Sequence, residues 1–193
     1  MELFLRATAI LDWDHPQVLT LARQLSNGRS QQESIQRCFE WVRDEIRHSS
    51  DYKLNPVTCT ASKVLAARTG FCYAKSHLLA ALLRANGIPA GLCYQRLSID
   101  GESAPFCLHG LNAVFLPEFG WYRIDPRGNK SGVNAQFTPP IEQLAFPIQI
   151  AGEADLPEIW PDPLPIVVEA LQAHQTYDAL LCALPDVPLI FRP

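Results

Sequence analysis

Cys72, His109 and Asp125 stand on three elements of this chain that could bring them together. A thiol is a strong nucleophile only as the thiolate, and with an ordinary pKa of about 8.5 it needs help at neutral pH. A helix N-terminus gives that help, because its free N–H groups carry positive partial charge. Gly70-Phe71-Cys72 places the thiol at such a point. The glycine lets the chain turn, and Ala74, Leu78, Leu79, Leu82 and Leu83 then recur on one helical face until Asn86-Gly87 and Pro89 stop it. The same N–H groups could hold an oxyanion developing on a substrate carbonyl. An imidazole would take the thiol proton, and a carboxylate would fix the imidazole tautomer. His109 opens a predicted strand over 109–116, and Asp125 closes another over 121–125, with a turn at 117–120 between them. Hairpin pairing would set the two side by side. Taken singly, each residue has a plainer reading. Cys72 could be a small buried hydrophobe, His109 a core histidine, and Asp125 before Pro126 a turn former.

The elements that must position these residues are legible upstream and downstream. A short helix is expected over 16–25, ending at Asn27-Gly28. Ser30 and Glu33 form a capping box for a helix over 31–47, with Ile35, Cys38, Phe39, Val42 and Ile46 buried and Trp41 at the border. Residues 48–58 read as a loop, and Thr60 caps a helix over 61–69 that Gly70 ends. After the Cys72 helix come a strand over 90–97 and a connection over 98–106. Helices first and an antiparallel sheet second is an α+β order. Residues 126–165 are rich in proline and read as a surface arm, either a passive cover or one wall of a substrate groove. Residues 165–184 return to a helical pattern.

Size and composition narrow the function classes. The 193 residues suit one compact domain over 1–193, with a core at about 30–128 and an arm and C-terminal helix in 129–193. Hydrophobic residues make up 48% and charged residues 19%, which argues for a packed core and against disorder. The net charge of −4 and the scattered Lys and Arg argue against a nucleic-acid partner. No basic, apolar leader opens the chain, and no run approaches the ~18 apolar residues of a spanning helix, so a cytoplasmic protein without a membrane partner is expected. Six cysteines in that setting are expected to be free thiols. There is no C-x-x-C pair and no acidic calcium loop, and nothing completes the two ligands of Cys107-Leu108-His109; neither metal nor cofactor is expected. His77 lies off the Cys72 direction and reads as structural. Arg84 reads either as solvated or as paired with a carboxylate under the sheet.

Three blocks of sequence resemble one family. Gly70-Phe71-Cys72-Tyr73-Ala74-Lys75 with Leu82-Leu83-Arg84-Ala85-Asn86-Gly87-Ile88-Pro89-Ala90 is similar to the cysteine helix of transglutaminase-like proteins. His109–Val114 resembles that family's histidine strand, and Gly120-Trp121-Tyr122-Arg123-Ile124-Asp125-Pro126 its aspartate strand. The likeness covers roughly 35–128. It implies a papain-like fold, N-terminal helices packed on an antiparallel sheet, with Cys72 as nucleophile, His109 as base and acid, and Asp125 as orienter. It also implies an amide-directed hydrolase or acyl transferase working through a thioacyl-enzyme on a peptide, protein or small amide. The family usually has a small residue and then an aromatic after its histidine, whereas this chain has Gly110-Leu111-Asn112. Its auxiliary oxyanion group often falls before the cysteine helix, where Tyr52, His48 and Asn55 lie, with Tyr52 the choice. Competing readings are a non-catalytic binding or scaffold module on the same fold and an arylamine N-acetyltransferase-like enzyme. All three reactive residues being present speaks against the first, and the Leu82–Ala90 block against the second.

Overall fold

The computed structural model describes residues 1–189. After a short 3-10 turn at Glu2–Phe4 come helices α1 (Pro16–Ser26) and α2 (Gln31–Glu45). The two-residue strand β1 (Arg47–His48), the single turn α3 (Ser49–Tyr52), α4 (Ala61–Ala67) and β2 (Thr69–Gly70) lead to α5 (Cys72–Ala85). The second half supplies β3 (Ala90–Ser98), β4 (Phe106–Leu116), β5 (Gly120–Ile124), β6 (Ala154–Asp155), α6 (Pro165–Ala173) and α7 (Tyr177–Leu181). Strands β5-β4-β3-β6 form one antiparallel sheet, and β1 pairs with β2 in parallel. The fold is α+β, as the element order implies.

Local signals form the elements, and tertiary pairing trims them. The capping box is made in full: Glu33 N donates to Ser30 Oγ at 3.3 Å, and Ser30 N to Glu33 Oε2 at 2.8 Å. Helix α2 stops short of 47 because Arg47 and His48 pair with Thr69 and Gly70. That pairing also shortens α4, which ends at Arg68 in a left-handed turn (φ +55°) and leaves Gly70 inside β2. The expected 48–58 loop therefore contains a strand and a helical turn. Strand β4 begins at Phe106, before the expected 109. The expected 165–184 helix is two helices, because Gln175 O accepts from Val57 N (3.2 Å) and Asn55 Oδ1 from Tyr177 N (2.7 Å).

Helix α5 is the centre of the molecule. It is buried from Cys72 through Arg84, not on one face alone, because α1, α2 and α4 cover one side and β3 and β4 the other. Its polar side chains must therefore find partners inside. Lys75 Nζ donates to Arg43 O (3.1 Å) and to Ile46 O, which satisfies the C-terminus of α2. His77 Nδ1 meets Cys59 O at 2.8 Å, and burial pushes the ring's pKa down to about 4. Arg84, only 2% exposed, binds carbonyls: Ala90 O twice (3.0 and 2.8 Å), Arg6 O (3.1 Å) and Pro161 O (2.6 Å). It clamps the N-terminal segment, the start of β3 and the proline-rich arm together.

Arg84→Met would leave those three carbonyl groups without a donor. Urea unfolding should report a loss of about 2–4 kcal/mol, with Arg84→Lys losing less. A loss in Arg84→Met below about 1 kcal/mol, the net worth of one ordinary hydrogen bond, would contradict the clamp.

Candidate active site

The N-terminus of α5 meets β4 at a point of close approach. A Cβ at Gly110 would stand 2.9 Å from Tyr73 Cδ1, 3.0 Å from its Cα and 3.2 Å from its N. Only glycine lets the strand lie this near the helix. The Tyr73 hydroxyl donates to Leu108 O, and Asn112 Nδ2 donates to Ser76 O (3.0 Å) and Gly91 O (3.2 Å), tying helix to sheet on both sides of the contact. Gly110 N then points at Cys72 Sγ, 3.5 Å away. Phe71, the N-cap of α5, makes no side-chain cap bond, so the first N–H groups of the helix face Cys72 uncapped by a side chain.

Cys72, His109 and Asp125 come together here. His109 Nε2 is 2.7 Å from Asp125 Oδ2, and Cys72 lies close enough to the ring to help raise its pKa. With Nε2 given to Asp125, Nδ1 is the nitrogen left for the thiol. Asp125 lies one residue beyond β5, is 1% exposed, and accepts from Arg127 N and Ala145 N, both at 3.1 Å. Those donors hold its carboxyl ionised: burial opposes the charge, while His109 and the two backbone N–H groups outweigh it and depress the pKa. For His109 burial again opposes charge, but Asp125 and Cys72 prevail and push its pKa up to about 10.

Cys72 and His109 line a cavity of about 480 Å³. Its walls come from both halves of the chain: His48 and Phe71 upstream, Cys107 and Leu108 on β4, and Ala145, Phe146 and Glu153 from the arm. The arm is thus a wall of the cavity as well as a cover. Gln95 Nε2 donates to Phe146 O at 3.2 Å, and the Phe146 ring sits edge-on to the His109 imidazole with centroids 5.1 Å apart. Leu181 and Leu184 close another side.

Tyr52 is not among the lining residues. Lys53 ends α3 in a left-handed turn (φ +53°), and Tyr52 lies 58% exposed beneath the Arg47 guanidinium, 5.3 Å from ring centroid to Cζ. From that stretch the structure brings His48 and Ser50 to the cavity instead. Pairing of β1 with β2 carries His48 to Gly70, beside the Cys72 helix. Burial, and then Arg127, hold its pKa well below the ordinary value, so the ring is neutral at pH 7. Sequence reasoning missed Arg127 and Ala145, whose N–H groups fix Asp125. Arg127 follows Asp125-Pro126 directly, a position where an Asx-type bond could have been anticipated. Ala145 had no such local signal. Among the described residues, no group of three or more His, Cys, Asp or Glu side chains is arranged to hold a metal ion.

A histidine pKa raised in the folded state adds stability that is complete below the unfolded value of about 6.5 and is lost as pH rises through the folded value. His109 should therefore stay imidazolium through pH 8 and titrate at about 10, read by NMR of its ring nitrogens. In Asp125→Asn the titration should move down. A wild-type titration at or below 6.5 would sink the buried ion-pair account.

Among curated proteins none matches the chain. Of solved structures, a candidate cysteine protease from Cytophaga hutchinsonii is similar, with 19% identity over 64% of this chain and 40% of that one and a TM-score of 0.50. The periplasmic domain of TgpA from Pseudomonas aeruginosa is 22% identical over 64% of this chain and 46% of that one, with a TM-score of 0.47. The chain thus spans less than half the length of either structure. No helix among the described residues is long and apolar enough to cross a membrane. The model of the transglutaminase-like superfamily matches residues 19–126, more than half of the chain and inclusive of Cys72, His109 and Asp125, so the chain belongs to that superfamily.

Proposed function

We propose that the protein is a cysteine-dependent amide hydrolase, with acyl transfer to an amine as the alternative second half-reaction. The observation that carries this is the His109–Asp125 pair set beside Cys72, with Cys72 and His109 lining a cavity at the N-terminus of α5. The Cys72 thiolate attacks the carbonyl carbon of the amide, and the carbonyl electron pair moves onto oxygen. The Cys72 N–H and the helix N-terminus face that oxygen. Collapse breaks the C–N bond, and His109 Nδ1–H gives its proton to the leaving amine. A thioester remains. Water, deprotonated by His109, then releases the carboxylic acid and the thiolate; an amine in its place gives a new amide.

The charge arrangement supports the timing of the proton. Part of what raises the His109 pKa is the charge of Cys72. When the sulfur bonds to the carbonyl carbon, that part vanishes, and the imidazolium is a stronger acid before the amine departs. His48 supplies the auxiliary donor in this reading. Ser50 Oγ lies 3.0 Å from His48 Nδ1; a hydroxyl donating there leaves the proton on Nε2, which makes a neutral N–H donor at the cavity.

Alkylation of Cys72 by iodoacetamide should be fast and persist well below pH ~8.5, and His109→Ala should slow it. On an active amide or ester substrate, Cys72→Ala should abolish turnover, and denaturing mass spectrometry of the wild type should catch the acyl adduct on Cys72. Alkylation at the rate of an ordinary thiol in both forms would overturn the nucleophile assignment.

His48→Ala should cut kcat by roughly 10²–10³, the usual loss for one oxyanion donor, with the His109→Ala-sensitive alkylation rate unchanged. Tyr52→Ala should leave kcat where it is. The reverse pattern would restore Tyr52 to the role.

A further inference from the structure

A second cavity, of about 380 Å³, lies behind the wall that His48, Arg127 and Lys130 make, since these three line both spaces. Arg43, Arg47 and Lys75 add to its lining, with Asp44 and Asp51 as its carboxylates. Four cations, and Lys75, whose pKa burial pushes down to about 7, thus face two anions, in a chain whose formal charge is −4. The two carboxylates are already engaged. Asp51 accepts from Arg127 at 2.6 and 3.0 Å and from Lys130 at 2.7 Å, and Asp44 accepts from Arg43 at 2.7 and 2.8 Å. Among the described residues no carboxylate pairs with Arg47, whose guanidinium lies over the Tyr52 ring. Lys75 gives two N–H donors to carbonyls of α2 and the residue after it, and its ammonium form has one left.

The backbone keeps this floor open. Gly128 lines the cavity with φ +112°, and a Cβ there would stand 3.3 Å from Arg43 O and 3.4 Å from Lys75 Nζ. A side chain would be strained in that conformation and would crowd the ammonium group. An excess of donors with positive charge in a concave, part-desolvated space attracts an oxyanion and holds it by charge-assisted hydrogen bonds. The wall of His48, Arg127 and Lys130, shared by both cavities, sets a ligand seated here next to the Cys72 cavity.

We propose that this cavity is a subsite for an oxyanion group, carboxylate or phosphate, and that the amide substrate carries such a group. The second half of the statement rests on Cys72 as the nucleophile; the first does not. Inorganic phosphate and succinate would be titrated separately into the whole protein by calorimetry at constant ionic strength, with Arg47→Gln and Arg47→Glu as variants. Saturable binding should appear in the wild type and weaken about tenfold or more in Arg47→Gln, the scale of one charge-assisted bond. Saturation by phosphate assigns a phosphoryl group, and saturation by succinate alone assigns a carboxylate. Binding of neither, or binding equal in wild type and variants, overturns the subsite. Cys72 would then be alkylated with iodoacetate and with iodoacetamide. The ratio of anionic to neutral rate should fall in Arg47→Gln and further in Arg47→Glu, with the iodoacetamide rate unchanged. An unchanged ratio overturns the link to the substrate, while a dead iodoacetamide reaction condemns the nucleophile and leaves the calorimetry to decide the subsite.

Discussion

Between Tyr73 on α5 and Gly110 on β4 there is no room for a side chain. That single steric condition sets the distance from helix to sheet at the point where the chemistry would occur. A helix against a sheet normally stands off by a layer of side chains, and a thiol at its N-terminus would then be out of reach of a strand's histidine. Here the glycine removes the layer, and the Tyr73 hydroxyl and Asn112 amide lock the approach on either side. The total burial of α5 follows from the same condition. A helix drawn this close to one sheet face and roofed by three others has no solvent side, so Lys75, His77 and Arg84 are obliged to cap, staple and clamp.

Buried charge is the second organising constraint. An aspartate 1% exposed would not normally stay ionised, yet Asp125 does, because an imidazolium and two backbone N–H groups converge on it. Each of those N–H groups arrives by a different route. Arg127 is held by Asp51 of α3, and Ala145 belongs to the arm next to Phe146, which Gln95 of β3 holds in turn. The arm is therefore part of the electrostatic cage of the carboxylate, and Arg127, anchored by that ion pair, shares with His48 and Lys130 the wall between the two cavities.

How much of this the amino-acid sequence discloses depends on how local the cause is. The start of α5, the capping box of α2 and the β4–β5 hairpin rest on residues a few positions apart, and each is legible from glycine, serine, proline and periodicity. The proximity of His109 and Asp125 follows from the hairpin alone. What was not legible depends on pairing at a distance. Nothing in residues 45–52 announces that β1 will join β2, yet that pairing turns His48 inward and leaves Tyr52 outside. The break between α6 and α7 is made by Asn55 and Val57, far upstream. The basic cavity gathers positions 43, 47, 75, 127 and 130 from four separate segments, so a linear scan of charge sees only scatter.

Burial also sorts the six thiols by their fate under oxidative stress. Cys38 and Cys93 are pushed up to about 12 and Cys59 to about 11, so each stays a protonated, buried thiol and resists peroxides, while Cys107, also pushed up to about 12, is part-buried in the wall of the Cys72 cavity. Cys182, by contrast, is exposed at the surface, and Cys72 faces a cavity under an imidazolium. Oxidant that reaches the chain is divided between a thiol in the Cys72 cavity and one at the surface able to join two molecules by a disulfide. Oxidation of the protein would thus proceed along two chemically separate lines, inside one molecule and between molecules, with the core sulfurs as bystanders to both.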